Sequence, residues 1–219
     1  GVSVVSYTGT GSNATVGHGL GVTPVAYFVK RRDNGSGATN WRVYHQNLDN
    51  GEDPEEFHLR LNSSDGQSGQ SNIWNDTKPT STTISIGTHA STGSSGGSYM
   101  AYVFAPVEGF SAFGGYTGNS SSNGTYINCG FRPAYIIVKK ENGGEHWQQR
   151  DTKREPFNVT DIRLEADERN AEGGQTNGDR LDILSNGFKA RDSAGQFNDG
   201  HRYVYFAWAE HPFKTSRGR

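Results

Sequence analysis

The stretch Gly21-Val22-Thr23-Pro24-Val25-Ala26-Tyr27-Phe28-Val29-Lys30-Arg31 returns as Gly130-Phe131-Arg132-Pro133-Ala134-Tyr135-Ile136-Ile137-Val138-Lys139-Lys140. The two prolines lie 133 − 24 = 109 positions apart, and the valines 138 − 29 = 109. Upstream, Tyr7-Thr8-Gly9 and Tyr116-Thr117-Gly118 keep the same offset, 116 − 7 = 109. One offset shared by separate landmarks marks a duplication. In each copy a Gly/Pro turn releases the chain into β-branched and aromatic residues, and two cations close it. Such a run reads as a mostly buried strand whose basic end reaches solvent.

The expected fold is therefore all-β: two tandem homologous antiparallel β-sandwich repeats, jelly-roll-like, packed together. The first repeat covers 1–108 and the second 109–219. Each half offers about seven short strands separated by turn-rich loops, and no regular alternation of strand and helix. In the first half, Trp41 to His45 alternates, with Trp41, Val43 and His45 on one face and Arg42 and Tyr44 on the other. Phe57–Leu61, Thr82–Ile86 and Tyr99–Ala105 follow as strands. The loop Asp33-Asn34-Gly35-Ser36-Gly37 and the run from Ser63 to Asn72 read as polar connections. In the second half Trp147 answers Trp41, Ile162–Leu164 answers Leu59–Leu61, and Tyr203–Ala209 answers Tyr99–Ala105. Ile127 stands at the 109-shifted place of His18. Glu165 to Glu172 lacks an apolar stripe and reads as loop.

Composition narrows the function classes. The chain has 219 residues, 32% hydrophobic, 11% aromatic and 20% charged, with a net charge of −2. That is not the signature of disorder, and near-neutrality argues against a nucleic-acid partner. No apolar run is long enough for membrane insertion as a helix. Cys129, the single cysteine, permits no internal disulfide and reads as packing. Gly1 is not an initiator Met, so a fragment of a longer protein is expected.

The chain resembles a family of modules from tail fibres of marine bacteriophages, including cyanophages. The matching stretches are the Tyr-Thr-Gly start, Gly17 to Pro24, Val29 to Arg31, Trp41 to His45, Trp74 to Ser81 and Tyr99 to Ala105. In the second half they are Gly130 to Tyr135, Asp151 to Arg154, Leu184 to Phe188 and Ala209 to Lys214. The resemblance implies a virion location, extracellular once assembled. It implies other virion proteins and a host cell-surface glycan or receptor as partners. Fibre proteins are commonly trimeric, so a homo-oligomer is in view, although coiled-coil heptads are absent. The resemblance carries no catalytic residues.

Among candidate site residues, Trp74 sits in a polar run beside Asn75 and Asp76, and Tyr44 offers a second flat ring. These four are the expected ligand-binding residues, with the indole and phenol stacking on sugar. Trp41 and Trp147 read as scaffold and Trp208 as core. Asp179, Asp182, Asp192 and Asp199 could supply oxygen ligands, but no dense D-x-D-x-D-G pattern occurs, so no metal and no cofactor is expected. No strand-to-helix nucleophile elbow or chosen carboxylate pair points to catalysis. The chain reads as a non-enzymatic host-binding module. A purely structural spacer or decoration unit and a polysaccharide depolymerase are the rivals.

Overall fold

The computed structural model describes residues 1–33, 40–174 and 179–211. The expected loop at 34–37 and the end of the last matching stretch lie outside these. The described fold is all-β. Among the described residues, seventeen strands, all paired antiparallel, one α-helical turn and two short 3-10 turns (Leu48–Gly51 and Pro54–Glu56) divide into two compact units.

Unit 1 comprises Gly1–Asn62 and Gln67–Ala105. Its strands are β1 (Val2–Thr8), β2 (Ala14–Gly17), β3 (Ala26–Arg31), β4 (Arg42–His45), β5 (Phe57–Arg60), β6 (Ser68–Gly69), β7 (Thr83–Ile86) and β8 (Ser98–Phe104). Six form one sheet in the order β1-β8-β3-β4-β5-β6, and β2 pairs with β7. The helical turn α1 (Ser71–Trp74) lies between β6 and β7. The core draws on both sheets and on the turn. Tyr27, Val29, Tyr44, Tyr99, Ala101 and Val103 come from the larger sheet, Ile84 and Ile86 from β7, Ile73 and Trp74 from α1. Alternation along β8 follows from this: Tyr99, Ala101 and Val103 are buried, and the residues between them less so.

Unit 2 takes in Pro106 onward together with the short segment Ser63–Gly66. Its strands are β9 (Ser111–Thr117), β10 (Tyr126–Asn128), β11 (Pro133–Lys140), β12 (Gln148–Asp151), β13 (Ile162–Glu165), β14 (Gly173–Gly174), β15 (Leu181–Leu184), β16 (Gly187–Ala190) and β17 (Arg202–Ala209). The six-strand sheet runs β9-β17-β11-β12-β13-β14, and β10-β16-β15 form a second. Numbered within its own unit, each large sheet begins with the first strand, then the last, then the third. Tyr116, Ile136, Val138, Tyr203, Tyr205 and Ala207 of the large sheet meet Ile127, Leu181, Ile183 and Phe188 of the smaller one. The segment 63–66 is held by Lys139, which is buried and donates to the Ser64 carbonyl at 3.1 Å. Burial pushes that amine down to about 8.

Each unit is locked by a tyrosine pair that also holds the loop before its last strand. Tyr7 stacks on Tyr99 with ring centroids 5.1 Å apart, and Tyr116 on Tyr203 at 5.0 Å. The Tyr7 hydroxyl donates to Thr92 O and that of Tyr116 to Phe197 O. Those loops cross directly over Gly9 and Gly118. A Cβ on Gly9 would lie 2.2 Å from Ser94 O, and one on Gly118 2.7 Å from the Asn198 carbonyl carbon, so only glycine fits at either place.

Candidate functional site

Two of the four expected binding residues are not on the surface. Trp74 is fully buried, and its indole N–H donates to Phe57 O at 3.0 Å. Tyr44 is 2% exposed and stacks on Tyr27 at 4.6 Å, while Trp74 meets Tyr27 edge-on at 4.8 Å. This correction has a simple cause. The polar run folds into one helical turn that swings Ile73 and Trp74 inward, and neither ring can reach a sugar. Asn75 ends the turn in the left-handed region at φ 57°, with Asp76 at φ 41°. Asn75 is half-buried and Asp76 exposed, so the expected quartet is split between core and surface.

Three of the four acids considered as oxygen ligands are engaged internally. Asp182 pairs with Arg191 at 3.2 Å, and Asp192 accepts from the Arg180 backbone N–H. Asp199 binds Lys140, and it accepts from the Tyr203 hydroxyl at 2.7 Å. Asp179 is buried, and that burial pushes it up to about 6. The Cys129 thiol, half-buried, is pushed up to about 12 by burial, which removes its nucleophilic form at neutral pH. A cleft of about 150 Å³ lined by Tyr7, Thr10, Ala14, Val16 and Ile86 is smaller than the roughly 300–1,000 Å³ of small-molecule pockets.

The least balanced chemistry lies on the inward face of β4 and β5. Arg42 shares the face of Tyr44, as expected from alternation, and its register partner across the strands is Arg60. His58, two residues before Arg60, has the same facing. Arg42 is 4% exposed and His58 fully buried, and an Arg42 Nη1 N–H donates to His58 Nε2. That bond requires the neutral imidazole. Burial first, then the Arg42, Arg60 and His89 charges, hold His58 down to about 3. His89 enters from the loop after β7. Its ring Nδ1 accepts from Ser91 N at 2.9 Å, and its backbone N donates to Asn72 O, which ties the loop to α1. Burial and the same two arginines lower His89 as well. Arg42 is pushed to about 10 by burial and by Arg60. Its Nε is buried with no hydrogen-bond partner. Among the described residues, Arg42, His58 and His89 make no ion pair. The signal for this site was present in the alternation: three basic residues at inward positions of adjacent strands.

The same register place in unit 2 is neutralised. Arg42 stands between Val29 and Arg60, and Gln148 stands between Val138 and Glu165. Gln148 donates to Glu165 at 3.0 Å, and Arg163 lies 3.4 Å from the same carboxylate.

The family model for a domain of unknown function, DUF7483, matches residues 1–212. The chain belongs to that family. No curated protein and no solved structure matches it.

Proposed function

We propose that this chain is a non-catalytic binding module of a bacteriophage tail fibre, which recognises a host-surface glycan or receptor with unit 1. Unit 2 serves as frame. The module is exposed at the virion surface and gains by avidity when repeated along a fibre. In this reading both units derive from one two-layer β-sandwich copied in tandem. Support for the copying comes from the common order of strands, the two tyrosine stacks and the glycines beneath the crossing loops. The layering is supported by core clusters that draw on a large and a small sheet in each unit.

The observation that carries the binding role is the buried basic pair of Arg42 and His58, which with half-buried His89 makes no ion pair among the described residues. Burying like charges without a partner costs stability, and such a cost is retained where a function uses it. The test is saturable binding of the labelled, folded chain to host cells and to a panel of surface polysaccharides. Binding that falls with Arg60→Gln is expected. A folded chain that binds neither cells nor polysaccharide would leave only the structural spacer.

A further inference from the structure

We propose that the open edge of β1 is a self-association surface, to which a second copy of this chain adds its own β1 antiparallel across a two-fold axis. The hydrogen bonds at the two ends of β1 fix which backbone groups face that edge. Gly1 N donates to Ala105 O and Ala105 N to Gly1 O, and Gly9 N donates to Gly97 O, all on the register that sets Ser3 against Val103 and Tyr7 against Tyr99. Bonded and non-bonded residues alternate along an antiparallel pair, so Ser3, Val5 and Tyr7 bond to β8. Val2, Val4, Ser6 and Thr8 turn their N–H and C=O groups outward. All four are exposed, and among the described residues no hydrogen bond reaches those groups. The matched strand of unit 2 is closed. β9 lies 111 − 2 = 109 positions on, and Ser111, Phe113, Gly115 and Thr117 are its outward residues, because Phe110 and Gly118 bond to Ala209 and His201. Ser111 exchanges backbone bonds with Val107, and Thr117 O accepts from the Thr125 hydroxyl at 2.9 Å. Unit 2 thus closes with its own residues the two places that Val2 and Thr8 leave open in unit 1.

A row of donors and acceptors spaced along one edge is matched by an extended strand, and β1 fits itself. Its seven residues hold no charge and no proline, the features that keep natural edges from pairing with their own kind. With the axis at Val5, Val2 comes opposite Thr8 of the second copy and Val4 opposite Ser6, so every outward residue exchanges both backbone bonds. Val2 and Val4, 60% and 57% exposed, are then covered by β-branched and small side chains. On the other face Val5 meets Val5 of the second copy. No like charges are brought together, and a net charge of −2 opposes association little. An isologous contact of this kind closes on itself at two copies. A ladder of one strand is small beside the roughly 1,200–2,000 Å² of stable interfaces, so the dimer is weak and depends on concentration. The pairing is independent of what the basic cluster binds.

The test is sedimentation equilibrium of the full chain from about 1 μM to about 1 mM, with amide exchange by NMR at both ends of that range. A monomer–dimer equilibrium is expected. Protection should rise with concentration at the Val2, Val4, Ser6 and Thr8 amides and stay level at Val5 and Tyr7, which are bonded within the chain. Val4→Lys sets like charges on diagonal neighbours about 7–8 Å apart across the axis, and should weaken the dimer about tenfold. Mixing that variant with the Val4→Glu chain should restore association as a heterodimer. Ser6→Pro removes an N–H that the single chain leaves in water, and should abolish the dimer. If Ser6→Pro impairs folding, the exposed Val4 variants still decide the matter. A chain that stays monomeric throughout, a dimer that these variants leave intact, or one without added protection at the four amides overturns the proposal. A monomeric chain whose four amides are protected only on adding a synthetic peptide of alternating Val and Thr also overturns self-pairing, and assigns the edge to a foreign strand.

Discussion

Gln148 and Arg42 occupy the same place in two sheets of the same strand order, yet they meet different neighbours. Around Gln148 the chain supplies Glu165, Arg163 and Arg150. Arg150 is itself buried, with Nη1 donating to Gln149 O at 2.8 Å and to the Gln148 side chain at 3.3 Å, and Nη2 donating to Asp179 O at 2.8 Å. Its guanidinium also lies over the Phe197 ring at 5.1 Å. Around Arg42 the chain supplies another arginine and two histidines. Arg150 has an unpartnered Nε too, so an unpaired atom alone does not separate the units. The sign of the surrounding charge does: Asp179, Glu155 and Asp161 outweigh Arg163 around Arg150, while among the described residues the charge acting on Arg42 is that of Arg60. One frame can hold a closed polar network or an open one, and the open one has chemistry left over. Next to these positions unit 1 fills its interior with Tyr27, Tyr44 and Trp74. Unit 2 sets Ile136 and Arg150 in register where unit 1 has the two tyrosines.

The largest break in this comparison should come from Trp74→Ala. A buried indole removed from a packed aromatic cluster costs about 3–5 kcal/mol, and its N–H bond to Phe57 O is lost with it. Native-state hydrogen exchange should show that cost in β3, β4, β7 and β8, with β11 and β17 unchanged. Full protection of unit 1 in the variant would mean that the ring contributes little to the core. Any loss of ligand binding in Trp74→Ala would then follow from unfolding and not from a missing sugar contact.

Sequence patterning made the strands legible, because β-branched and aromatic runs between Gly, Pro and Asn turns constrain local conformation strongly. It also placed Arg42 and Tyr44 on a common face. It failed where side-chain direction depends on a tertiary turn, as at Trp74, whose flanking Asn and Asp resemble those of a solvent loop. It also slipped in register. His18 N donates to Thr82 O and Cys129 N to Asn186 O, so Cys129 is the counterpart of His18, and the second turn is two residues shorter. Leu59 pairs with Val43 and Leu164 with Gln149, an offset of 164 − 59 = 105 in place of the 103 implied by matching Ile162–Leu164 to Leu59–Leu61. Cross-strand hydrogen bonds set such registers, and no linear pattern displays them. The site was missed for a related reason. Arg42, the His58–Arg60 pair and His89 are far apart in the chain, and only strand pairing and the loop after β7 bring them together.

Acidification sharpens the contrast because the units respond with opposite sign. His58 has a folded-state value near 3 against an ordinary 6.5, so the unfolded chain takes up the proton first and stability is lost as pH falls below about 6.5. Between pH 7 and 5 this amounts to about 2 kcal/mol from unit 1. His89 acts in the same direction, and Arg42 and Arg60 are the charges facing both histidines. Asp179 behaves inversely. Burial holds it near 6, with Asp192 and Glu145 assisting and Arg150 and Arg163 opposing. Its folded form therefore takes up the proton first, and unit 2 gains about 1 kcal/mol over the same window. Unit-resolved exchange at pH 7 and 5 should show protection falling in unit 1 and rising in unit 2. Parallel changes in both would contradict the assignment of these two groups.

The smallest expected effect comes from giving unit 1 the solution found in unit 2. Arg42→Gln combined with Arg60→Glu copies the Gln148–Glu165 pair into β4 and β5 at matched register. It removes two buried or half-buried cations and introduces an amide that can donate to a carboxylate. Replacing two like charges held side by side by a satisfied pair is commonly neutral to stabilising, and a gain of about 1–2 kcal/mol in denaturant unfolding is expected. The two single variants should each do less well. Arg42→Gln leaves Arg60 beside His58, and Arg60→Glu alone places a carboxylate opposite Arg42, so non-additivity measures the pair directly. A double variant that is clearly less stable than the natural chain would show that the cluster is compensated from within unit 1. The difference between the two units would then be one of packing and not of charge.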